Sequence, residues 1–302
     1  MNIKHLCNTL RIPHFTLAVA ASILTAAQGT SRAEDTWTQM ADMPTPRGGL
    51  TAQIVEGKIY AIGGEQSHSV RLATNETFDP ATNTWEAKAA MPTERTGPAS
   101  AVVGGKIYVF GGGIETGIDL TTATVEAYDP VTDTWEAKRD MPTARSGAST
   151  FVRDGKIYVM AGWVGGGIHA QVVEIYDPAT DTWEDLGVAP TSAYGFYGAC
   201  YVNGKFYQVG GNSPWPVYSG RSDTNVYDPA ANTWERKAAM PFKKQFLSAA
   251  ALNETIYAMG GSAQGTAGSE MQIYNTSTNA WTEGLPLPTA RSGLATISLD
   301  GK

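Results

Sequence analysis

Residues 95–142 read RTGPASAVVGGKIYVFGGGIETGIDLTTATVEAYDPVTDTWEAKRDMP, and the spacing of turn residues in this stretch decides the fold. The apolar run Ala99–Val103 stops at Gly104-Gly105-Lys106, and a glycine pair between β-branched runs signals a tight hairpin. Residues 107–110 follow at once as a second strand. It ends at Gly111-Gly112-Gly113, where missing side chains let backbones approach closely and allow positive φ. After a longer loop, Val125-Glu126-Ala127-Tyr128 alternates as a third strand, Asp129-Pro130 opens a turn, and Thr134-Trp135 begins a fourth strand. Four strands joined by short turns make an antiparallel meander. One such sheet with a single apolar face is marginal alone in water, so it needs copies of itself.

The copies run along the whole chain. Tryptophans of the Thr-Trp step fall at Trp37, Trp85, Trp135, Trp183, Trp234 and Trp281, with Ala280 replacing threonine in the last, at intervals of 48, 50, 48, 51 and 47 residues. Glycine pairs recur at Gly63-Gly64, Gly111-Gly112, Gly210-Gly211 and Gly260-Gly261, and the third unit has Ala161-Gly162 instead. Three residues before each stand Tyr60, Tyr108, Tyr158, Tyr207 and Tyr257. A period near 50 with four strands per unit argues for a β-propeller rather than a helical solenoid. On these glycines, tyrosines and tryptophans the chain resembles the kelch repeat family. The resemblance implies an all-β ring of four-stranded blades and leaves function open, because propellers host unrelated activities.

Five complete units are expected, at 49–92, 97–142, 147–190, 195–241 and 246–288. Before them, Trp37 and Asp42-Met43-Pro44 match a fourth strand alone; after them, 291–302 matches a first strand and its turn. Propellers close by pairing strands from both termini in one blade. The expected fold is therefore six-fold, with the sixth blade incomplete and shared by the terminal strands. Judged by the other units, about 30 residues that would make its second and third strands are missing, which reads as truncation at the C-terminus.

Residues 1–33 break the repeat. Lys4 and Arg11 precede an apolar run, and Ser31-Arg32-Ala33 offers small residues at a cleavage site, so a secretory signal peptide is expected, with 34–302 as one exported domain, periplasmic or extracellular. Its removal takes away Lys4, Arg11 and Arg32 and no acid, moving the net charge from −7 to −10, which disfavours nucleic acid or anionic membrane as a partner. Cys200 is then the remaining cysteine, so no intramolecular disulfide forms, and its strand pattern reads as a small buried hydrophobe.

The repeated tryptophans read as wedges between blades. The glycine pairs are not phosphate loops, since no helix follows them and no Gly-Lys-Ser/Thr is present. Meander geometry puts the loops between second and third strands on one face with the interblade links. The links repeat an arginine in Pro44-Thr45-Pro46-Arg47, Pro92-Thr93-Glu94-Arg95, Pro142-Thr143-Ala144-Arg145 and Pro288-Thr289-Ala290-Arg291; Ala193 and Lys244 take the place in the fourth and fifth units. A ring of guanidinium groups binds carboxylates by paired hydrogen bonds, and the kelch resemblance implies acidic peptides as ligands of such arginines. The alternative is that each arginine bonds carbonyls of a neighbouring blade. Trp163, Trp215 and Tyr218 on non-repeated loops, with Tyr194 beside a link position, add an aromatic surface suited to sugars or peptides.

The expected function is non-catalytic binding of a protein or carbohydrate ligand, possibly acidic in character, by a monomer needing no cofactor and no metal. Two enzymes of related architecture supply the alternative. A sialic acid mutarotase of exported, six-bladed type needs an acid or base, for which Glu65 or Glu115 stand on the loop face, and an arginine for the substrate carboxylate. A galactose-oxidase-like copper site needs two histidines, two tyrosines and a cysteine, against which this chain offers only His68 and His169 beyond the leader.

Overall fold

The computed structural model describes residues 20–25, 36–67, 70–114, 120–166, 168–188, 195, 197–213 and 219–302. Five four-stranded antiparallel meanders follow one another along the chain. They comprise Thr51–Val55, Lys58–Ile62, Asn75–Asp79 and Thr84–Lys88 in the first sheet, and Ala99–Val103, Lys106–Phe110, Val125–Asp129 and Thr134–Lys138 in the second. The third, fourth and fifth sheets begin at Ser149–Arg153, Gly198–Val202 and Ser248–Leu252 and end at Thr182–Val188, Thr233–Arg236 and Ala280–Glu283.

The turns form for the reasons their residues suggest. Gly104 and Gly105 both take positive φ, 59° and 76°, as a two-residue hairpin with the twist of its strands requires. At the three-four turn Asp129 Oδ1 accepts the Val131 N–H at 2.9 Å, and Asp133 closes the turn in the left-handed region that Asp and Asn tolerate. Asp133 Oδ1 also accepts the Tyr128 hydroxyl at 2.6 Å and, from the preceding sheet, the Ala89 N–H at 2.8 Å.

Hydrophobic cores lie between consecutive sheets. Tyr60 and Ile62 of the first pack with Ile107, Val109 and Tyr128 of the second; Phe110 and Val125 of the second pack with Ile157, Val159 and Tyr176 of the third. Trp135, Trp183, Trp234 and Trp281 pack against such cores, the ring of Trp135 lying 5.0 Å from the buried Tyr128. The indole N–H reaches the preceding sheet: Trp85 bonds Ala41 O, Trp135 bonds Ala89 O and Trp183 bonds Arg139 O, at 3.0, 2.8 and 3.0 Å. The expected wedge is thus also a hydrogen-bonded strut. Cys200 packs against the core between the fourth and fifth sheets, and burial pushes its thiol up to about 12.

The terminal segments lie next to both the fifth and the first sheets. Thr36–Asp42 offers Trp37, whose Nε1 donates to Leu285 O at 3.3 Å, and Ala41, whose N–H donates to Asn83 Oδ1 at 2.7 Å. On the inner side Gly49 N–H bonds Gly293 O at 2.9 Å and Gly293 N–H bonds Phe246 O at 2.9 Å. Residues 292–299, expected as a first strand, make no ladder; Thr296 touches Ser248 by backbone and side chain instead. Of the expected leader, 1–19 and 26–33 lie outside the described residues. Ala20–Thr25 is a strand, paired antiparallel with Thr36–Asp42, which the sequence pattern did not announce.

Candidate functional site

The loop face is defined by pairing between interblade links and two-three loops: Gly48 bridges Glu65, Thr96 bridges Gly113, Ser146 bridges Trp163 and Gln245 bridges Ser262. Links and loops therefore share one face, as meander geometry requires. Three loops carry short ladders of their own that the sequence reading did not foresee: Glu65–Ser67 with Val70–Arg71, Trp163–Gly165 with Ile168–His169, and Ser262–Ala263 with Thr266–Ala267.

The arginines on this face point inward, which corrects the expectation of a guanidinium ring around a mouth. Arg47, Arg95 and Arg145 have no exposed surface. Each pairs with a buried glutamate on the third strand of its own sheet: Arg47 with Glu76 at 2.5 Å, Arg95 with Glu126, and Arg145 with Glu174 at 2.5 Å. The link threonine completes the lock, with Thr45, Thr93 and Thr143 donating to Glu76, Glu126 and Glu174 at 2.6, 2.8 and 2.6 Å. Carbonyls accept further hydrogens, such as Thr124 O from Arg95 at 2.8 Å and Ala61 O from Arg47 at 2.8 Å, while Arg47 Nε is buried with no hydrogen-bond partner among the described residues. The alternative of bonds to carbonyls of a neighbouring blade is corrected too: the side-chain bonds go to carbonyls of the arginine's own unit, and it is the arginine's backbone carbonyl that the preceding unit bonds. Gly64 and Gly112 donate N–H groups to Arg95 O and Arg145 O at 2.9 Å. Burial lowers the pKa of all three guanidinium groups, against the opposing pull of their glutamates, and burial raises that of Glu174.

Lys244 is likewise buried, its Nζ 2.7 Å from Glu270 Oε2. In that fifth unit the whole lock has changed together. Phe242 replaces the threonine and donates its backbone N–H to Gln272, which replaces the glutamate, at 2.9 Å. In the fourth unit Asn225 stands at the glutamate position, and the buried Asp223 is held by Arg221 and Arg236. Arg291 keeps the lock position, with its carbonyl accepting Gly261 N–H at 2.8 Å. It is only partly buried, and its Nη1 is buried without a hydrogen-bond partner.

The other expected site residues are dispersed. Trp163 is buried, edge-on to His169 at 5.2 Å, and does not form an open aromatic plate. His169 Nδ1 accepts the Gly195 N–H at 2.9 Å. Glu65 is paired with Arg71 across its short ladder. Trp215, Tyr194, Tyr218, Glu115 and His68 lie outside the described residues. Among the described residues no group of three or more His, Cys, Asp or Glu side chains is placed to hold a metal ion.

Among the described residues, the face exposes several large apolar side chains. Val70 on the first loop, Ile114 and Leu120 on the second and Ile168 on the third are 45%, 38%, 45% and 62% exposed. Ile114 N–H bonds Leu120 O at 3.1 Å, so these two flank one loop. Sequence reasoning weighed aromatic and charged residues and passed over them. The available signal was apolar residues at non-repeated positions, where no core demands them. Toward the axis, Thr51, Gln53, Ser100, Thr150, Ser248 and Thr296 line a narrow channel of about 240 Å³, mostly bonded to one another, as in Thr51 to Ser100 at 2.5 Å.

Successive meanders strutted by indoles and clamped at the link define a β-propeller of kelch type. The KLHDC2/KLHL20/DRC7 Kelch-repeats domain matches residues 28–211 and the Kelch motif matches 246–288, so the chain belongs to the kelch-repeat family. Beta-scruin of Limulus polyphemus is 29% identical over 110 residues, 35% of this chain and 12% of the relative. Kelch repeat and BTB domain-containing protein 12 of Homo sapiens is 30% identical over 122 residues, 33% of this chain and 19% of the relative. The matched part thus spans less than a fifth of either relative. The solved structure of YjhT superposes with a TM-score of 0.74 at 17% identity, covering 89% of this chain and 92% of that one, a likeness of fold.

Proposed function

We propose that this is an exported, non-catalytic kelch propeller that binds a protein ligand on its loop face, through apolar side chains on the two-three loops. The observation that carries this reading is the exposure of Val70, Ile114, Leu120 and Ile168 on loops of three consecutive sheets. Exposed apolar anchors on a rigid scaffold favour a protein partner over a sugar, whose recognition needs flat aromatic plates and convergent polar groups. The ring is six-fold, its sixth position held by Thr36–Asp42 outside and 291–299 inside; the Trp37 to Leu285 and Gly49 to Gly293 bonds support this.

The test is selection of a phage-displayed random peptide library against the full chain, repeated on an Ile114→Asp, Leu120→Asp variant. Apolar peptides enriched on the first should lose affinity about tenfold or more on the second, with stability unchanged within about 0.5 kcal/mol. Peptides that bind both chains equally would remove the proposed surface. Accelerated interconversion of sialic acid anomers, abolished by Glu65→Gln, would replace it with the enzymatic reading. Fractionation of expressing cells tests export.

A further inference from the structure

On the turn face, opposite the loops, the clefts between consecutive sheets are filled to different degrees. Between the third and fourth sheets the cleft is closed by rings, Phe151 stacking on Tyr158 at 4.5 Å and on Tyr201 at 4.8 Å. Register identifies the same three positions between the first and second sheets. Gln53 lies opposite Tyr60 as Phe151 lies opposite Tyr158, and Val102 lies opposite Ile107 as Tyr201 lies opposite Phe206. Gln53 turns toward the axis, its Nε2 donating to Ser100 O at 2.7 Å, and Val102 brings no ring. Here there is a cavity of about 600 Å³, lined by Ile54, Val102 and Tyr60 and by Lys58, Lys88 and Lys106.

The turns at its mouth are a second observation. The one-two turn begins with Glu56, Asp154, Asn203 or Asn253 in the other units and with Gly104 in this one. A Cβ on Gly104 would meet nothing within 4 Å, and Asp154 holds nearly the same φ, 52° against 59°, so packing does not demand the glycine. The three-four turn carries Ala81, Ala179, Ala230 or Ser277 elsewhere and Val131 here, 85% exposed where no core calls for it. One departure leaves out a polar or acidic side chain and the other adds an apolar one, and both residues line the cavity. Ala101 and Val152 leave the next cleft without extra rings as well, but Asp154 and Ala179 stand at its turns. Of the three lysines, Lys106 and Lys88 are held at 3.1 and 2.6 Å by Asp129 and Glu86, whereas Lys58 meets Asp79 at 3.9 Å, beyond hydrogen-bond length.

We propose that this cleft binds a small planar aromatic molecule carrying a carboxylate. Its ring takes the place beside Tyr60 that the rings of Phe151 and Tyr201 take beside Tyr158, Val102 and Val131 flank it, and its carboxylate pairs with Lys58. The site lies on the face opposite the loop-face ligand and stands without it.

The probe is naphthoate, titrated into the full chain by calorimetry, with the uncharged naphthamide beside it. A dissociation constant below about 1 mM is expected for the acid, and one about fivefold to tenfold weaker for the amide. Lys58→Gln should weaken naphthoate by that same factor and leave naphthamide unchanged, because the amide has no charge to lose. Val102→Tyr supplies the ring that the fourth unit carries and should abolish binding of both. Should that variant fail to fold, Gly104→Asp, which copies Asp154 at an equivalent turn, should weaken naphthoate and spare naphthamide. No binding at about 10 mM, equal affinity for acid and amide, or binding indifferent to these changes overturns the site. Binding lost instead in the Ile114→Asp, Leu120→Asp variant would assign the probe to the loop face and overturn it as well.

Discussion

At Arg95 a full positive charge sits without solvent, and its stability depends on Glu126, Thr124 O and Gly111 O being in place. Removing one member of such a pair leaves the other charge buried and alone. Arg95→Ala is therefore expected to cost about 3–5 kcal/mol, and adding Glu126→Gln to recover a good part of it, both read from urea unfolding. Arg291→Gln, which strands no carboxylate among the described residues, should cost little. A second residue-scale prediction concerns Asp133, whose hydrogen bond from Tyr128 and further bond from Ala89 N–H hold its carboxyl below the ordinary value of 3.8. A depressed folded pKa contributes stability above the unfolded value that is lost as pH falls through the folded one. The chain shows the remedy, since Asn279 accepts the Tyr274 hydroxyl and the Ala238 N–H at the same position. Asp133→Asn should then leave stability near neutrality little changed and shift acid unfolding, followed by fluorescence, to lower pH. The arginines were legible in the sequence and their direction was not, because a link arginine reads the same whether it faces solvent or strand. The deciding signal was in the third strands: Glu76, Glu126 and Glu174 recur with the arginine, and Asn225 and Gln272 appear where it is lost. Those exchanges occur together because a buried acid and a buried base are tolerable only as a pair.

At the scale of the element, the glycine pair and the hairpin glycine look alike in sequence but differ in what surrounds them. A Cβ on Gly63, Gly210 or Gly260 would lie 2.9, 2.8 or 2.6 Å from the carbonyl of the link residue of the next unit, and Gly111 is tighter still against Arg145 O. A Cβ on Gly155 in a one-two turn would meet nothing within 4 Å, although its φ is +74°. Gly155→Ala should thus cost about 1 kcal/mol, the penalty of the left-handed conformation alone. Gly111→Ala, which must also move a carbonyl bonded to Gly112, should cost well over about 2 kcal/mol; thermal unfolding of the two variants separates them. Strands and turns were readable because period-two alternation and turn chemistry act locally. The ladders inside the two-three loops and the strand at Ala20–Thr25 were not, since two-residue pairings carry no periodicity and an apolar leader run is compatible with either use.

For the whole molecule, the repeat in the sequence specifies the neighbours of each sheet but not how the first meets the last. That junction is carried by single bonds: Gly49 N–H to Gly293 O at 2.9 Å, in the same place as Gly97 N–H to Gly49 O at 2.7 Å and Gly147 N–H to Gly97 O at 2.8 Å. The last two are backed by four-stranded sheets on both sides, whereas the first leans on 291–296, which makes no ladder. Exchange protection follows the cheapest opening that frees an amide. The Gly97 and Gly147 amides should therefore exchange near the global unfolding limit, and Gly49 faster, by local release of 291–296.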